Sequence, residues 1–331
     1  MKTKELLKGN DLYCFLKRSY FKWRTNLVPD RLYAVVTYWI KYRKYLNVEN
    51  PRTFDEKLWW LKFNYHHPLQ IQCADKWRVR EYVKKCGLEH ILIEVFGHYS
   101  SFAEIDLDKI KAEEFFLKCN HLSGGNMIIR KGSTNMKKVQ RQFGYWLKDN
   151  AYYYSLEWPY KDMKPCLIAE RVLQTDEPFG LLDYKFFCFE GEPKLLSLDI
   201  GVCNTDGTHA EEYYRNFYDM NFQPLEIKET REHYMVESIQ KPKNFDLMID
   251  YARRLSSPFP HCRVDLYNIK GAIYFGEITF YHGSGCNDFQ PQEVDLMLGS
   301  WIDIRKHSNE YIEHSSFLPR EVIRKSLNRR L

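Results

Sequence analysis

The sequence predicts an α+β fold. Strand-like stretches come in adjacent pairs joined by short polar or glycine turns, the pattern of antiparallel hairpins. Amphipathic helices are mixed among these hairpins. The chain has 331 residues, 44% hydrophobic and 28% charged, which leaves room for two lobes.

The elements follow in order. The first 45 residues hold Lys17, Arg18, Lys22, Arg24, Arg31, Lys41, Arg43 and Lys44 mixed with Tyr20, Phe21, Trp23, Tyr33, Tyr38 and Trp39. This segment fits contact with an anionic polymer or an acidic membrane; it equally fits a solvated basic helix docked on the body. Thr53 reads as an N-cap with Glu56 closing a capping box, and Phe54, Leu58, Leu61 and Tyr65 follow at helical spacing. A second helix is expected from Asp75 to about Lys85, stopped by Gly87. Residues 91–96 form a strand candidate. Strands 115–118 and 127–130 flank the polar turn 120–126. Val139, Phe143, Trp146 and Leu147 mark a helix. Strands are expected at 166–173, 181–189 and 194–200, with a turn at 190–193. Phe245, Met248, Ile249, Ala252 and Leu255 mark the next helix. A hairpin of 262–267 and 274–280 turns at Lys270-Gly271.

Composition narrows the function classes. No apolar run approaches the ~20 residues of a membrane span. The polar N-terminus reads as cytoplasmic, with the inner face of the membrane as the surface its basic residues would meet. Nine scattered cysteines, none in C-x-x-C spacing, suggest reduced thiols. No common nucleic-acid motif is present.

The chemistry concentrates in the last hairpin. Asp265 and Glu277 lie at an even separation. With an odd-numbered loop they fall opposite each other, on one face with Arg263 and Thr279. Val264, Leu266, Ile278 and Phe280 take the other face. Such an acid pair suits Mg²⁺ when phosphate and water supply the other ligands; it also fits ordinary solvent-face residues. Lys118 before Ser123-Gly124-Gly125 is a candidate phosphate grip or a plain hairpin turn. Asp183 and Lys185 share a strand face, pointing into a groove or forming a surface ion pair. Glu170 ends an apolar strand. Asp75-Lys76 starts a helix. His121, His261 and His282 stand alone in polar turns. Ser284 lacks a nucleophile-elbow pattern, and Cys286 reads as an incidental thiol.

In order, Asp75-Lys76, Lys118 with its glycine loop, Glu170, Asp183-Tyr184-Lys185, Arg263-Val264-Asp265 and Glu277-Ile278-Thr279 resemble the ATP-grasp superfamily. More narrowly, residues 50 to 300 resemble the TupA-like ATP-grasp family, associated with teichuronopeptide and capsular polysaccharide synthesis. The resemblance implies an ATP-grasp fold whose two lobes clamp ATP, with an N-terminal helical extension. It implies an N-terminal basic region (1–74), a small lobe (75–155), a large lobe (156–300) and a C-terminal helical tail (301–331). Lys76, Lys118, Ser123, Gly124 and Gly125 would meet phosphates, and Glu170 adenine or ribose. Asp183 would help hold the nucleotide, and Lys185 would touch phosphate or substrate. Asp265 and Glu277 would hold Mg²⁺, and Arg263 would stabilise the transferring phosphoryl. Many such enzymes carry Glu-x-Asn where this chain has Glu277-Ile278-Thr279. Thr279 is then the third metal candidate. The implied reaction joins a glycan or small-molecule carboxylate to an amine or amino acid through an acyl phosphate. A glycosyltransferase (Asp106-Leu107-Asp108 has the D-x-D form), a phosphotransferase and a non-catalytic scaffold are the rival readings.

Overall fold

The computed structural model describes residues 11–307 except 179, 236 and 237. Most of the expected tail at 301–331 therefore lies outside the described residues.

Two antiparallel sheets form the frame. The smaller contains β1 (Val95–Tyr99), β2 (Glu114–Cys119), β3 (Asn126–Arg130) and β4 (Leu167–Arg171), in the order β1-β4-β2-β3. The larger contains β5 (Asp183–Phe189), β6 (Glu192–Ile200), β7 (Tyr214–Tyr218), β8 (Pro224–Leu225), β9 (His261–Ile269) and β10 (Ala272–Thr279), in the order β10-β9-β5-β6-β7-β8. Two tight turns set the large sheet. Glu190-Gly191 and Lys270-Gly271 all have positive φ, as a two-residue hairpin turn matching strand twist requires.

The helices are α1 (Asp11–Leu27), α2 (Asp30–Tyr42), α3 (Phe54–Asn64), α4 (Pro68–Ala74), α5 (Val79–Lys85), α6 (Met136–Trp146), α7 (Tyr152–Ser155), α8 (Phe245–Ser256) and α9 (Glu293–Ser300). Thr53 and Glu56 form the expected capping box at α3. Val139 and Phe143 of α6 pack on Phe115 and Leu117 of β2 in the small core. Met248, Ala252 and Leu255 of α8 join Phe186, Val264 and Leu266 in the large core. A third cluster seats α2 on α3 through Ala34, Tyr38 and Trp59.

Several expectations shift. The second helix begins regularly only at Val79, because the Asp75 side chain caps the amides of Trp77 and Arg78. Residues 91–96 are not one strand: a 3₁₀ turn spans Glu89–Ile91 and β1 starts at Val95. Ile91 and Ile93 are buried as a looped apolar run, which periodicity alone does not distinguish from a strand.

One loop ties the sheets together. Between β6 and β7, the Asp206 carbonyl accepts from Ile128 N at 2.7 Å and the Gly207 carbonyl accepts from the Asn126 side chain. Gly207 has φ +80°, and a Cβ there would lie 2.6 Å from Ile128 N. The loop thereby covers the free edge of β3.

Candidate active site

The acids of the last hairpin do face each other, by a different route from the one expected. The turn has two residues, which by itself would place Asp265 opposite Gly276. A bulge between Phe275 and Glu277 restores the pairing Asp265↔Glu277 and Arg263↔Thr279. Gly276 makes the bulge possible, since a Cβ there would sit 2.9 Å from the Asp265 carbonyl oxygen. Bulges commonly re-aim side chains next to functional sites.

The register extends this pair into a charged face. Lys185 stands opposite Asp265, and Asp183 opposite Asp199, which pairs in turn with Arg215. Lys185 Nζ meets Asp183, Asp265 Oδ2 at 3.1 Å and Asp199 Oδ2 at 3.8 Å. Burial opposes its charge, but Asp183 and Asp265 hold the ammonium well above the usual lysine range. Arg263 grips both Asp265 oxygens at 2.7 Å. It also donates to His282 Nδ1 at 2.7 Å. That donor fixes the neutral Nε2–H tautomer, which reaches Glu229 Oε1 at 3.2 Å. Burial likewise lowers the His282 pKa, despite Glu229. Thr279 bridges the pair: its hydroxyl donates to Glu277 Oε1 at 3.2 Å and accepts from Arg263 at 3.4 Å.

The small sheet supplies the facing wall. Lys118 pairs with Glu170 diagonally across β2 and β4. Lys76 is placed by its neighbour. Asp75 receives the side chain of Asn120 at 2.9 Å, and Lys76 N donates to the Asn120 carbonyl at 3.2 Å. Lys76 Nζ then bridges the walls, 3.1 Å from Leu122 O and 3.3 Å from Glu277 Oε2. Burial would raise the Glu277 carboxyl, but Lys76, Arg263 and Lys185 outweigh it and hold it at about 2. Its side chain is 36% exposed, so the shift reports the surrounding cations rather than a large contribution to stability.

Between the walls lies a cleft of about 700 Å³. Lys76, Lys118, Ser123, Gly124, Glu170, Asp183, Lys185, Arg263, Asp265 and Glu277 all line it, so residues spread over two hundred positions meet in one space. Gly125 and Thr279 sit just behind that lining: the Gly125 carbonyl closes the turn onto Cys119 N. Sequence reasoning missed Asp199, Arg215 and Glu229, and set His282 aside. The alternation of Ser197 and Asp199 with Leu196, Leu198 and Ile200 carried a signal for Asp199. Arg215 carried none, because polar residues 201–213 hide the start of β7. Two lone histidines are structural: His121 bonds Asn120 and two backbone carbonyls, and His261 is buried beside Phe54 and Phe189. Burial also raises the Cys286 thiol, as expected of an unreactive cysteine.

The donor chemistry fits Mg²⁺. Asp265 and Glu277 offer hard oxygen donors, and the buried Asp183 Oδ1 has no hydrogen-bond partner. Burial, against the pull of Lys185, raises the Asp183 carboxyl. Among the described residues, no cluster of three or more His, Cys, Asp or Glu side chains forms a self-sufficient metal site. A bound ion would thus draw ligands from phosphate and water.

A two-walled cleft with lysines on one side and a carboxylate hairpin on the other defines the ATP-grasp class. The sequence matches the family described as TupA-like ATP-grasp over residues 56–303, and the chain belongs to that family. Solved structures similar in fold include an L-amino acid ligase from Bacillus licheniformis (13% identity, TM-score 0.45, covering 78% of this chain and 57% of that one). A D-alanine–D-alanine ligase from Bacillus anthracis shows 14% identity and TM-score 0.42, covering 73% and 69%. The same enzyme from that organism complexed with ATP shows 10% identity and TM-score 0.37, with 63% of this chain covering 54% of that one. This chain thus spans about half to two thirds of their length. A comparison with curated proteins finds no match.

Proposed function

We propose that this chain is an ATP- and Mg²⁺-dependent ligase joining a carboxylate to an amine on a cell-surface polysaccharide or its precursor. The observation that carries the reading is the convergence of both sheets on one cleft, with Lys76 spanning from Leu122 O to Glu277. The polysaccharide context rests on the family's association.

In this reading residues 75–155 together with β4 act as the small lobe and the rest of 156–300 as the large lobe, between a basic N-terminal region and a C-terminal tail. Lys76, Lys118 and the Ser123-Gly124-Gly125 loop bind phosphates, and Glu170 orients the nucleoside. Asp265 and Glu277, supported by Thr279 and Asp183, would hold Mg²⁺, which would supply neutralisation of phosphate charge. The substrate carboxylate attacks the γ-phosphorus, and the bond to the ADP oxygen breaks. Lys185 and Arg263 position and neutralise the transferring phosphoryl group. The amine nitrogen then attacks the acyl carbon, phosphate leaves with the carbon–oxygen bond electrons, and the proton lost from nitrogen ends on the released phosphate. Closure of the cleft keeps water from the acyl phosphate. A cytoplasmic setting supplies ATP.

The test is incubation with ATP, Mg²⁺ and pooled uronic acids and amines. Substrate-dependent ADP and phosphate release, with a hydroxamate trapped by hydroxylamine, supports the reading. Glu277→Gln and Lys118→Ala should each abolish turnover in a folded protein. Phosphate retained on the acceptor would instead identify a phosphotransferase.

A further inference from the structure

The family match begins at residue 56, so α1 and α2 precede the shared fold. Their composition is unlike the rest of the surface. Of the seventeen large hydrophobic side chains exposed among the described residues, eleven lie between Tyr13 and Tyr45. On α1, Tyr13, Leu16, Tyr20, Trp23 and Leu27 recur every three or four residues, which makes one helical stripe. On α2, Leu32, Val36, Trp39 and Ile40 do the same. Trp23 is 63% exposed and Trp39 52%.

The body is held by the face of α1 that flanks its stripe and by the face of α2 opposite its own. Arg24 is buried, donates to the Tyr153 carbonyl and lies 3.7 Å from the centre of the Tyr33 ring. Phe21 packs edge-on against Tyr154 at 5.9 Å. Ala34 and Tyr38 are buried in the third core cluster. Both helices are therefore docked by one side, and the apolar stripes are what they present outward.

Charge identifies the occupant. Residues 11–45 carry eight Lys and Arg against two Asp, a net +6, which exceeds the +5 of the whole chain. Lys17, Lys22, Arg31, Lys41, Arg43 and Lys44 are exposed. A second copy of the same surface would bring like charges together. An anionic bilayer offers both complements at once: acyl chains for the stripes and headgroup phosphates for the cations. Trp and Tyr rings favour the interfacial level, and basic amphipathic helices lie along it.

We propose that α1 and α2 dock this protein on an anionic membrane surface, with the Leu16–Tyr20–Trp23–Leu27 and Leu32–Val36–Trp39 stripes embedded and the surrounding lysines and arginines on headgroup phosphates. Lys41 belongs both to this segment and to the lining of the cleft, so docking sets the cleft mouth close to the lipid. The proposal does not depend on the ligase reading.

The experiment is co-sedimentation of the full chain with vesicles of equimolar phosphatidylglycerol and phosphatidylcholine, and with vesicles of phosphatidylcholine alone. The expected result is at least about tenfold stronger partition onto the anionic vesicles, weakened by added salt. Trp23→Ala with Trp39→Ala, and separately Lys17→Glu with Lys22→Glu, should each reduce that partition about tenfold or more. Both pairs are exposed, so the melting temperature should stay unchanged. Equal partition onto the two vesicle types, or none onto either, overturns the proposal. So does a wild-type dimer in vesicle-free sedimentation that the tryptophan pair of substitutions converts to monomer, which would make this face a self-association surface.

Discussion

Lys76 is the residue whose charge reaches both walls of the cleft. Its ammonium contacts a carbonyl of the small-sheet loop and the Glu277 carboxylate of the last hairpin. It is also the first of the cations that hold Glu277 low against the effect of burial. Replacing it by methionine keeps much of the stem and removes the charge. The Glu277 carboxyl should then titrate nearer the ordinary carboxylate range, still ionised at neutral pH. Turnover should fall about a hundredfold, the scale of losing one preorganised charge contact. A pH–rate profile separates the two effects: the loss should persist at pH 7, and the acid limb should move up. Recovery of wild-type rate at pH 7 would mean that Lys76 matters only through the Glu277 protonation state.

The hairpin β9–β10 shows how one local irregularity decides an element's use. A regular ladder from the two-residue turn would set Glu277 opposite Val264 rather than Asp265. The single extra residue at Gly276 reverses that. Gly276→Ala should destabilise the fold by about 1–3 kcal/mol, because the new Cβ presses on the Asp265 carbonyl at 2.9 Å. Turnover should fall further than this loss of stability explains; normal turnover in a correctly folded variant would show that the register tolerates the change. The acids and their even spacing were legible in the sequence because strand periodicity fixes which residues share a face. The bulge was not, since a glycine inside a strand pattern fits a bulge or a plain weak point equally well. Lys118, Glu170, Asp183 and Lys185 were legible for the same reason of alternation next to apolar strands. Arg215 and Glu229 were not, since β7 follows a long polar loop and Glu229 lies in irregular chain beyond β8, where no period marks a face. Their contribution comes from tertiary pairing with Asp199 and His282.

Across the whole molecule, buried charge sets how stability depends on pH. Burial would raise Asp199 and Glu229, but Arg215 and Lys185 on the first, and His282 and Arg215 on the second, hold both below the ordinary carboxylate range. Between the folded and unfolded values the unfolded chain binds more protons, so this stability is complete above about pH 5 and is lost progressively as pH falls through about pH 4 and below. His121, His261 and His282 act in the same direction at higher pH. Burial lowers all three, with His261 at about 3. The unfolded chain takes up their protons as pH falls below about 6.5, and stability declines. Asp55 and Asp183 oppose this, since burial raises both, Asp55 to about 7, and the folded chain takes up protons first. Burial also lowers His66 and raises Glu157 and Asp295, so four histidines and four carboxyls act in opposite directions; the melting temperature should change little between about pH 7 and pH 5 and fall steeply below about pH 4. A melting temperature that climbs between pH 7 and pH 5 would show that the raised carboxyls dominate, and one that drops there that the histidines do. Arg215→Leu isolates the second phase. It removes the nearest cation from two buried carboxylates, Asp199 with 2% and Glu229 with 5% side-chain exposure, leaving Lys185 at 3.8 Å from the first and His282 at 3.2 Å from the second. That should cost about 3–5 kcal/mol at neutral pH. The cost should shrink as acid neutralises both groups, so the variant and wild-type melting curves should converge below about pH 4. Curves that stay parallel would mean that Arg215 contributes through packing rather than charge.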